Sequence, residues 1–257
     1  MLIDSHAHIY DEQYGDGGKS IIASMASDGL EAIISVGCDL ASSRECVRLA
    51  DCNDGIFATV GVHPYYPEEV SADGLDELRR LASHKKTVAI GEFGLDFHRD
   101  DFDKPAQIAA LNAQYELARE LCLPMMFHVR EAAGEFYDFL KDRNFPQSGV
   151  MHCFSGSVET AKYCVRKGLY LAFGGKLTYN NAKNLAAAAK ETPLDRILLE
   201  TDAPYLSPSK FLGQINYPKN VALVRDRLAE IKGVSPEIIE RATTENVKRL
   251  FFRMTEK

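Results

Sequence analysis

No stretch of this chain approaches the roughly 20 consecutive apolar residues that a membrane-spanning helix needs. Its longest apolar runs are broken by charge or glycine within about ten positions, which leaves no candidate for a membrane anchor. No Cys-x-x-Cys pair occurs among the six cysteines, Cys38, Cys46, Cys52, Cys122, Cys153 and Cys164. No signal-peptide pattern precedes the first strand-like residues, since Met1-Leu2-Ile3-Asp4 runs straight into them. Reduced thiols in a cytoplasmic protein are therefore expected. Glycine signatures that cradle phosphates are missing as well: no G-x-G-x-x-G follows a strand pattern, and no G-x-x-x-x-G-K-[ST] occurs. Positive charge is scarce, with 30 Lys and Arg against 37 Asp and Glu and a formal net charge of −7. With a pI near 5.6, a broad basic face that coats nucleic acid is excluded. Enzymes acting on phosphates are not, because two bound divalent cations would add about four positive charges at the one place that matters.

What the chain does have is rhythm. Its 257 residues, 46% of them hydrophobic, suffice for one large core, and no linker, repeat or low-complexity tract divides residues 1–257. Eight short runs of β-branched and aliphatic residues recur: Leu2 to His6, Ala32 to Gly37, Ile56 to Gly61, Thr87 to Glu92, Pro124 to His128, Gly149 to His152, Leu169 to Phe173 and Arg196 to Glu200. Most are almost continuously apolar, as strands of a parallel sheet are when both faces are covered. Helical spacing fills the intervals. From Asp103 to Cys122, Ile108, Leu111, Tyr115, Ala118 and Leu121 repeat every three or four residues, and Pro105 suits a first turn. Gly168 suits the end of a helix from Val158 to Lys167. A last helix is opened by Ser235 as cap and Pro236, with Ile238, Ile239, Ala242, Leu250 and Phe251 available for burial. Eight strand and helix units in this length predict an α/β fold, a single-domain (β/α)8 TIM barrel with a C-terminal helix packed outside it. Ser207 to Pro218 is the least regular stretch, long enough for a loop over a site.

Potential metal ligands sit at the downstream ends of five of these strands: His6 and His8, Glu92, His128, His152 and Asp202. His6 and His8 are two apart, so on a strand both imidazoles face one way. Glu92 closes an apolar run with Gly91 before it and Gly94 after it; glycine there permits close approach of backbone or ligand. Each residue has a plain structural alternative: a core histidine, a salt-bridged glutamate, or an aspartate capping a turn. Jointly they favour a site, because a barrel brings strand 8 back beside strand 1 and gathers the donors. His63 ends strand 3 at the same rim and Arg130 lies two residues past His128; both are placed to contact anionic substrate oxygens. His84 reads as a solvent-facing helix-end residue, and His98 as a loop residue that is a poor ligand candidate.

At this point the chain resembles the TatD-type metal-dependent deoxyribonucleases, within the wider amidohydrolase-like barrels. The likeness runs from Ile3-Asp4-Ser5-His6-Ala7-His8 through Gly61-Val62-His63-Pro64 and Gly91-Glu92-Phe93-Gly94-Leu95-Asp96 to His128-Val129-Arg130. It continues through His152-Cys153-Phe154-Ser155-Gly156, Gly175-Lys176-Leu177-Thr178 and Glu200-Thr201-Asp202-Ala203-Pro204-Tyr205-Leu206 to residues Asn246 to Phe251. The resemblance implies two divalent metal ions (Zn, Mn or Mg), with Glu92 bridging, His6, His8 and Asp202 around one, and His128 and His152 around the other. It also implies Asn216 as a substrate contact. The family often carries an Arg-Gly-Lys-x-Asn stretch after strand 8, whereas this chain reads Leu212-Gly213-Gln214-Ile215-Asn216, two cations fewer.

These residues predict hydrolysis of a phosphodiester, DNA foremost, by a metal-activated water, with Asp202 as ligand and base and His63 and Arg130 on the nonbridging oxygens. No membrane and no obligate protein partner are expected. Two alternatives stand beside this: hydrolysis of an ester or amide, such as an aminoacyl ester on an RNA end, to which Leu212 and Gln214 would be better suited, and a non-catalytic binding barrel, which would be expected to lack ligands.

Overall fold

In the computed structural model, which describes residues 1–256, the eight predicted strands are present: β1 (Leu2–Ala7), β2 (Leu30–Val36), β3 (Ile56–Val60), β4 (Thr87–Asp96), β5 (Met125–Arg130), β6 (Gly149–Met151), β7 (Tyr170–Phe173) and β8 (Ile197–Leu199). They pair in parallel and in sequence order, β1 through β8. The helices are α1 (Lys19–Ser24), α2 (Leu40–Cys52), α3 (Ala72–Ala82), α4 (Lys104–Glu120), α5 (Ala133–Lys141), α6 (Val158–Arg166), α7 (Lys183–Glu191), α8 (Val221–Lys232) and α9 (Pro236–Leu250). Their apolar faces and the outward side chains of the strands make one continuous core that includes Ile33, Leu49, Leu78, Phe127, Leu171 and Leu228. Inside the ring a second cluster holds Ile34, Val36, Val88, Met126, Val150, Ala172 and Leu198. The sheet is thus covered on both faces, which is why its strands read as unbroken apolar runs.

Between β8 and β1 the ring closes by unusual means. One backbone bridge, Ala7 to Ala203, joins them, with the His8 amide donating to the Ala203 carbonyl (2.7 Å) and the Asp202 amide to the His6 carbonyl (2.9 Å). Below this, the buried Asp4 carboxylate accepts from the Thr201 amide (3.0 Å) and hydroxyl (2.5 Å), taking the place of ladder bonds.

Three features depart from the sequence expectation. Strand β4 does not stop at Glu92 but runs to Asp96, with a register shift against β5 between Ile90 and Phe93. The glycines explain it: a Cβ at Gly91 would lie 2.6 Å from the Met126 carbonyl oxygen, and one at Gly94 only 1.9 Å from that of His128. Their role is to let β5 backbone come close, and the bulge turns Glu92 into the ring.

Helix α9 lies outside the wall as expected, yet its end does more. Val247, Leu250 and Phe251 belong to the inner cluster, and Arg253 donates to the carbonyls of Ala82 and Thr87 at the entrance of β4 (both 2.8 Å). They plug the end of the barrel from which the strands start. Ser235 occupies the cap position without making a side-chain cap bond, and Ile238 stays 38% exposed; Ile239, Thr243 and Asn246 supply the rest of the buried face.

Helix α4 begins at Asp103, whose carboxylate accepts from the Ala106 amide (2.9 Å). Two buried glutamines on one face of it hold strand ends in place. Gln114 pairs with the amide and carbonyl of Val62 (2.8 and 2.9 Å), next to His63, and Gln107 does the same for Asp96 (2.9 Å each).

Candidate metal centre

All six predicted ligands converge at the end of the ring where the strands finish. His6 Nε2 and His8 Nε2 are 3.2 Å apart and lie 3.5 and 3.4 Å from Asp202 Oδ1. Both are 3.7 Å from the Glu92 carboxylate, His6 from Oε2 and His8 from Oε1. On its other side Glu92 Oε2 lies 3.0 Å from His152 Nε2 and 3.5 Å from His128 Nδ1, and these two nitrogens are 3.0 Å apart. Three groupings of donor atoms close enough to share an ion result: His6 with His152 and Asp202, His6 with His8 and Glu92, and His63 with Glu92 and His128. Asp202 reaches its place in the left-handed backbone region, φ 57°, a conformation that aspartate tolerates better than most side chains.

Proton positions follow from the partners of the opposite ring nitrogens. His8 Nδ1 faces the Val36 carbonyl oxygen (3.0 Å), an acceptor, so the proton sits on Nδ1 and Nε2 is bare. His128 Nε2 faces Asp96 Oδ2 (2.9 Å), which leaves Nδ1 toward the cluster, whereas His152 Nδ1 has no hydrogen-bond partner and lies 3.7 Å from Glu200 Oε1. Nε2 of His8 and Nδ1 of His128 are thereby left to face a neighbouring imidazole and the Glu92 carboxylate. Glu92 Oε2 accordingly has no hydrogen-bond partner although it is buried. A lone pair facing lone pairs in a dry site repels, and only a cation makes such an arrangement favourable; the chemistry of the donor set fits divalent metal.

Burial opposes a charge on His128 and His152, yet the carboxylates beside them outweigh it and raise both above the usual imidazole value, so the cluster favours positive charge. Burial opposes the Glu92 charge, yet His152 and His6 outweigh it and hold the carboxyl well below its usual range. Burial likewise works against Asp96, but bonds from His128 and from the His98 amide bring it down to about 2. Glu200, buried and accepting from the Cys153 amide (2.6 Å), is raised chiefly by burial. His63 is pushed down to about 3 by burial and by neighbouring His128, so its ring is neutral. Its Nδ1 accepts from the Tyr65 amide (3.2 Å), which leaves Nε2 as a donor, suited to an oxyanion rather than to a metal.

A cleft of ≈ 750 Å³ opens over these donors and is lined by His8, Glu92, His128, His152 and Asp202 together with His63, Arg130, Arg99, Lys176, Tyr65 and Tyr205. Arg130 is exposed on its wall, as its position suggested. Asn216 is a correction. It is fully buried, its amide group donates to the carbonyls of Thr201 and Tyr205 (2.9 and 2.8 Å), and its oxygen accepts from Tyr217 and Asn220 (2.9 and 2.8 Å). Every polar atom of that side chain is spent on bracing the loop after β8, so none is left for substrate. His98 pairs with Glu131 (2.6 Å) and does not line the cleft, and His84 approaches Asp51 at the end of α3 (3.2 Å).

Sequence reading missed Asp4, Asp96, Glu200 and Cys38. Asp4 stands two residues before His6 on β1 and Asp96 four after Glu92 on β4, an even spacing that points both to the donors' side, while Glu200, two before Asp202, lies just past β8. Cys38, whose thiol donates to Glu92 Oε1 (3.3 Å), carried no comparable signal.

A family model described as TatD related DNase matches residues 3–252. Among curated proteins, the chain is 39% identical over 252 residues to YabD of Bacillus subtilis, an uncharacterized metal-dependent hydrolase, covering 98% of this chain and 99% of that one. It is 31% identical over 257 residues to a protein of Erwinia billingiae named 3'-5' ssDNA/RNA exonuclease TatD, covering 97% and 98%. Among solved structures, the TatD homolog YJJV of Escherichia coli K12 superposes with a TM-score of 0.93 at 31% identity, covering 98% of each chain.

Proposed function

Because this chain belongs to the TatD related DNase family of metal-dependent hydrolases, we propose that it cleaves phosphodiester bonds of nucleic acid, DNA foremost, at the cluster centred on Glu92. The observation that carries this reading is the buried Glu92 carboxylate, its Oε2 without a hydrogen-bond partner, with imidazole nitrogens on two sides of it. Two ions would be held here, one by His6, His8 and Asp202 and the other by His128 and His152, with Glu92 between the two sets, and the mixed nitrogen and oxygen donors would suit Zn, Mn or Mg. When bound, such ions neutralise phosphate charge and lower the pKa of a coordinated water.

The chain's own groups do the rest. Asp202 turns Oδ1 toward His6 and His8, leaving Oδ2 to accept the proton of the attacking water. Nε2 of the neutral His63 donates to a nonbridging oxygen, and Arg130, free of any carboxylate partner among the described residues, neutralises charge beside it. Residues 1–257 act as one domain in this reading. No helix among the described residues is long and apolar enough to cross a membrane, and all six cysteines are unpaired, in keeping with a reducing compartment such as the cytoplasm.

Removal of metal is the direct test. Protein stripped with a chelator should lose turnover of a single-stranded oligonucleotide, readdition of a divalent ion should restore it, and elemental analysis should find two ions per chain. Metal-dependent turnover of simple or aminoacyl esters with none of any phosphodiester would overturn the proposal in favour of the ester reading that the exposed Leu212 and Gln214 first suggested.

A further inference from the structure

Among the described residues, every exposed large aromatic side chain, Tyr66, Tyr205 and Tyr217, lies in the loops that follow β3 and β8. These loops stand well apart around the mouth, since β8 and β3 are separated by β1 and β2 in the ring, and β4 lies directly opposite β8. Two of the surfaces they offer are stiffened for use. Tyr205 is 48% exposed, yet its hydroxyl donates to Asp11 Oδ2 (2.8 Å) and its ring sits edge-on to His8, centroids 5.9 Å apart. The ring cannot swing away, and its face lines the cleft. Across the cleft the Arg99 guanidinium lies 3.8 Å above the Tyr65 ring, which in turn rests edge-on against His63 (4.5 Å). One face of that guanidinium is therefore covered, and the residue as a whole is exposed.

Charge points the same way. Each carboxylate lining the cleft is already engaged: Asp11 by Tyr205, Asp39 by the first turn of α2, Asp96 by His128, and Glu92 and Asp202 by the imidazoles. Arg99, Arg130 and Lys176 line the same cleft with no carboxylate partner among the described residues. The cleft thus presents three cations without carboxylate partners although the chain is acidic overall.

We propose that Tyr205 and the Tyr65-backed Arg99 are two base-stacking surfaces on opposite banks of the Glu92 cluster, which hold the bases on either side of the cleaved bond. Planar, sequence-tolerant surfaces beside unpaired cations are what a single strand needs, because every base offers a π-face and every linkage a charge. Bases paired and stacked within a duplex have no face to give. This rests on the nucleic-acid reading above and adds how the strand is gripped.

The test compares kcat/KM of the metal-loaded enzyme on a single-stranded oligonucleotide, on the same strand with each base flanking the cleaved bond removed in turn, and on a base-free p-nitrophenyl phosphodiester. For the wild type, removing a flanking base is expected to lower kcat/KM about tenfold. In Tyr205→Ala and Arg99→Ala the intact strand should lose about as much, and removal of the base that each residue holds should then cost less than twofold. Tyr205→Phe should restore the preference because it keeps the ring, and Arg99→Lys should not because it keeps only the charge. A wild type active on both kinds of phosphodiester but indifferent to base removal overturns the stacking surfaces alone. Inactivity toward the base-free phosphodiester and the strands alike would overturn the nucleic-acid reading and this proposal with it.

Discussion

His128 is oriented by a carboxylate that does not join the donor cluster, Asp96 at 2.9 Å, and Glu200 lies 3.7 Å from His152. Fixing the proton on the far nitrogen is what makes the near one a ligand, so Asp96→Asn should lower metal affinity or turnover by roughly 10 to 100-fold without unfolding the protein. Titration against a chelating indicator, alongside kcat, measures it, and unchanged affinity and turnover would refute the orienting role. His63 gives a pH prediction with a definite sign. Folded, it stays neutral down to about pH 3; unfolded, it takes a proton near 6.5. Between those values the unfolded state binds more protons, so this group's share of stability falls as pH drops below about 6.5. From pH 7 to 5 the loss is about 2 kcal/mol. His63→Gln should remove that part of the slope in denaturant unfolding of metal-free protein at the two pH values, and parallel slopes for the two proteins would contradict it. At this scale the donors were legible because a lone polar residue closing an apolar run stands out. Asp4 and Glu200, embedded beside the donors, did not, and Asn216 was misread because a resemblance carries residue identity without its hydrogen bonds.

The strands were readable as elements because a sheet covered on both faces leaves uninterrupted apolar runs. Their ends were less so. Continuation of β4 to Asp96 depends on how Gly91 and Gly94 meet the β5 backbone, and the insertion of Phe251 into the inner cluster depends on where α9 ends in space; neither is a local property of sequence. The loop after β8 yields a prediction of its own. If Asn216 braces it, Asn216→Ala strands buried carbonyls and an amide and should cost about 1–3 kcal/mol in denaturant unfolding. A residue that touched substrate would instead raise KM with no loss of stability. The two parameters, measured on one protein, separate these roles.

Over the whole molecule, an acidic chain must bind a polyanion through a few local charges. With Arg99, Arg130 and Lys176 as the free cations of the cleft, the logarithm of affinity for a single strand should fall against the logarithm of salt concentration with a slope of about −2. Binding to a short oligonucleotide at several salt concentrations measures it, and Arg99→Ala should make the slope shallower by about 0.7. A much steeper dependence would mean that a basic surface elsewhere is engaged.

The junction of β1 with β8 carries a consequence for the enzyme as a machine. His6 and His8 lie on one side of that junction and Asp202 on the other, and the backbone atoms of these same residues and of Ala203 make its few hydrogen bonds. Latch and ligand are therefore one piece of chain, built from sequence positions nearly two hundred residues apart. An ion held there would rivet β1 to the chain just past β8, and damage to either segment would loosen its grip even with every donor side chain intact.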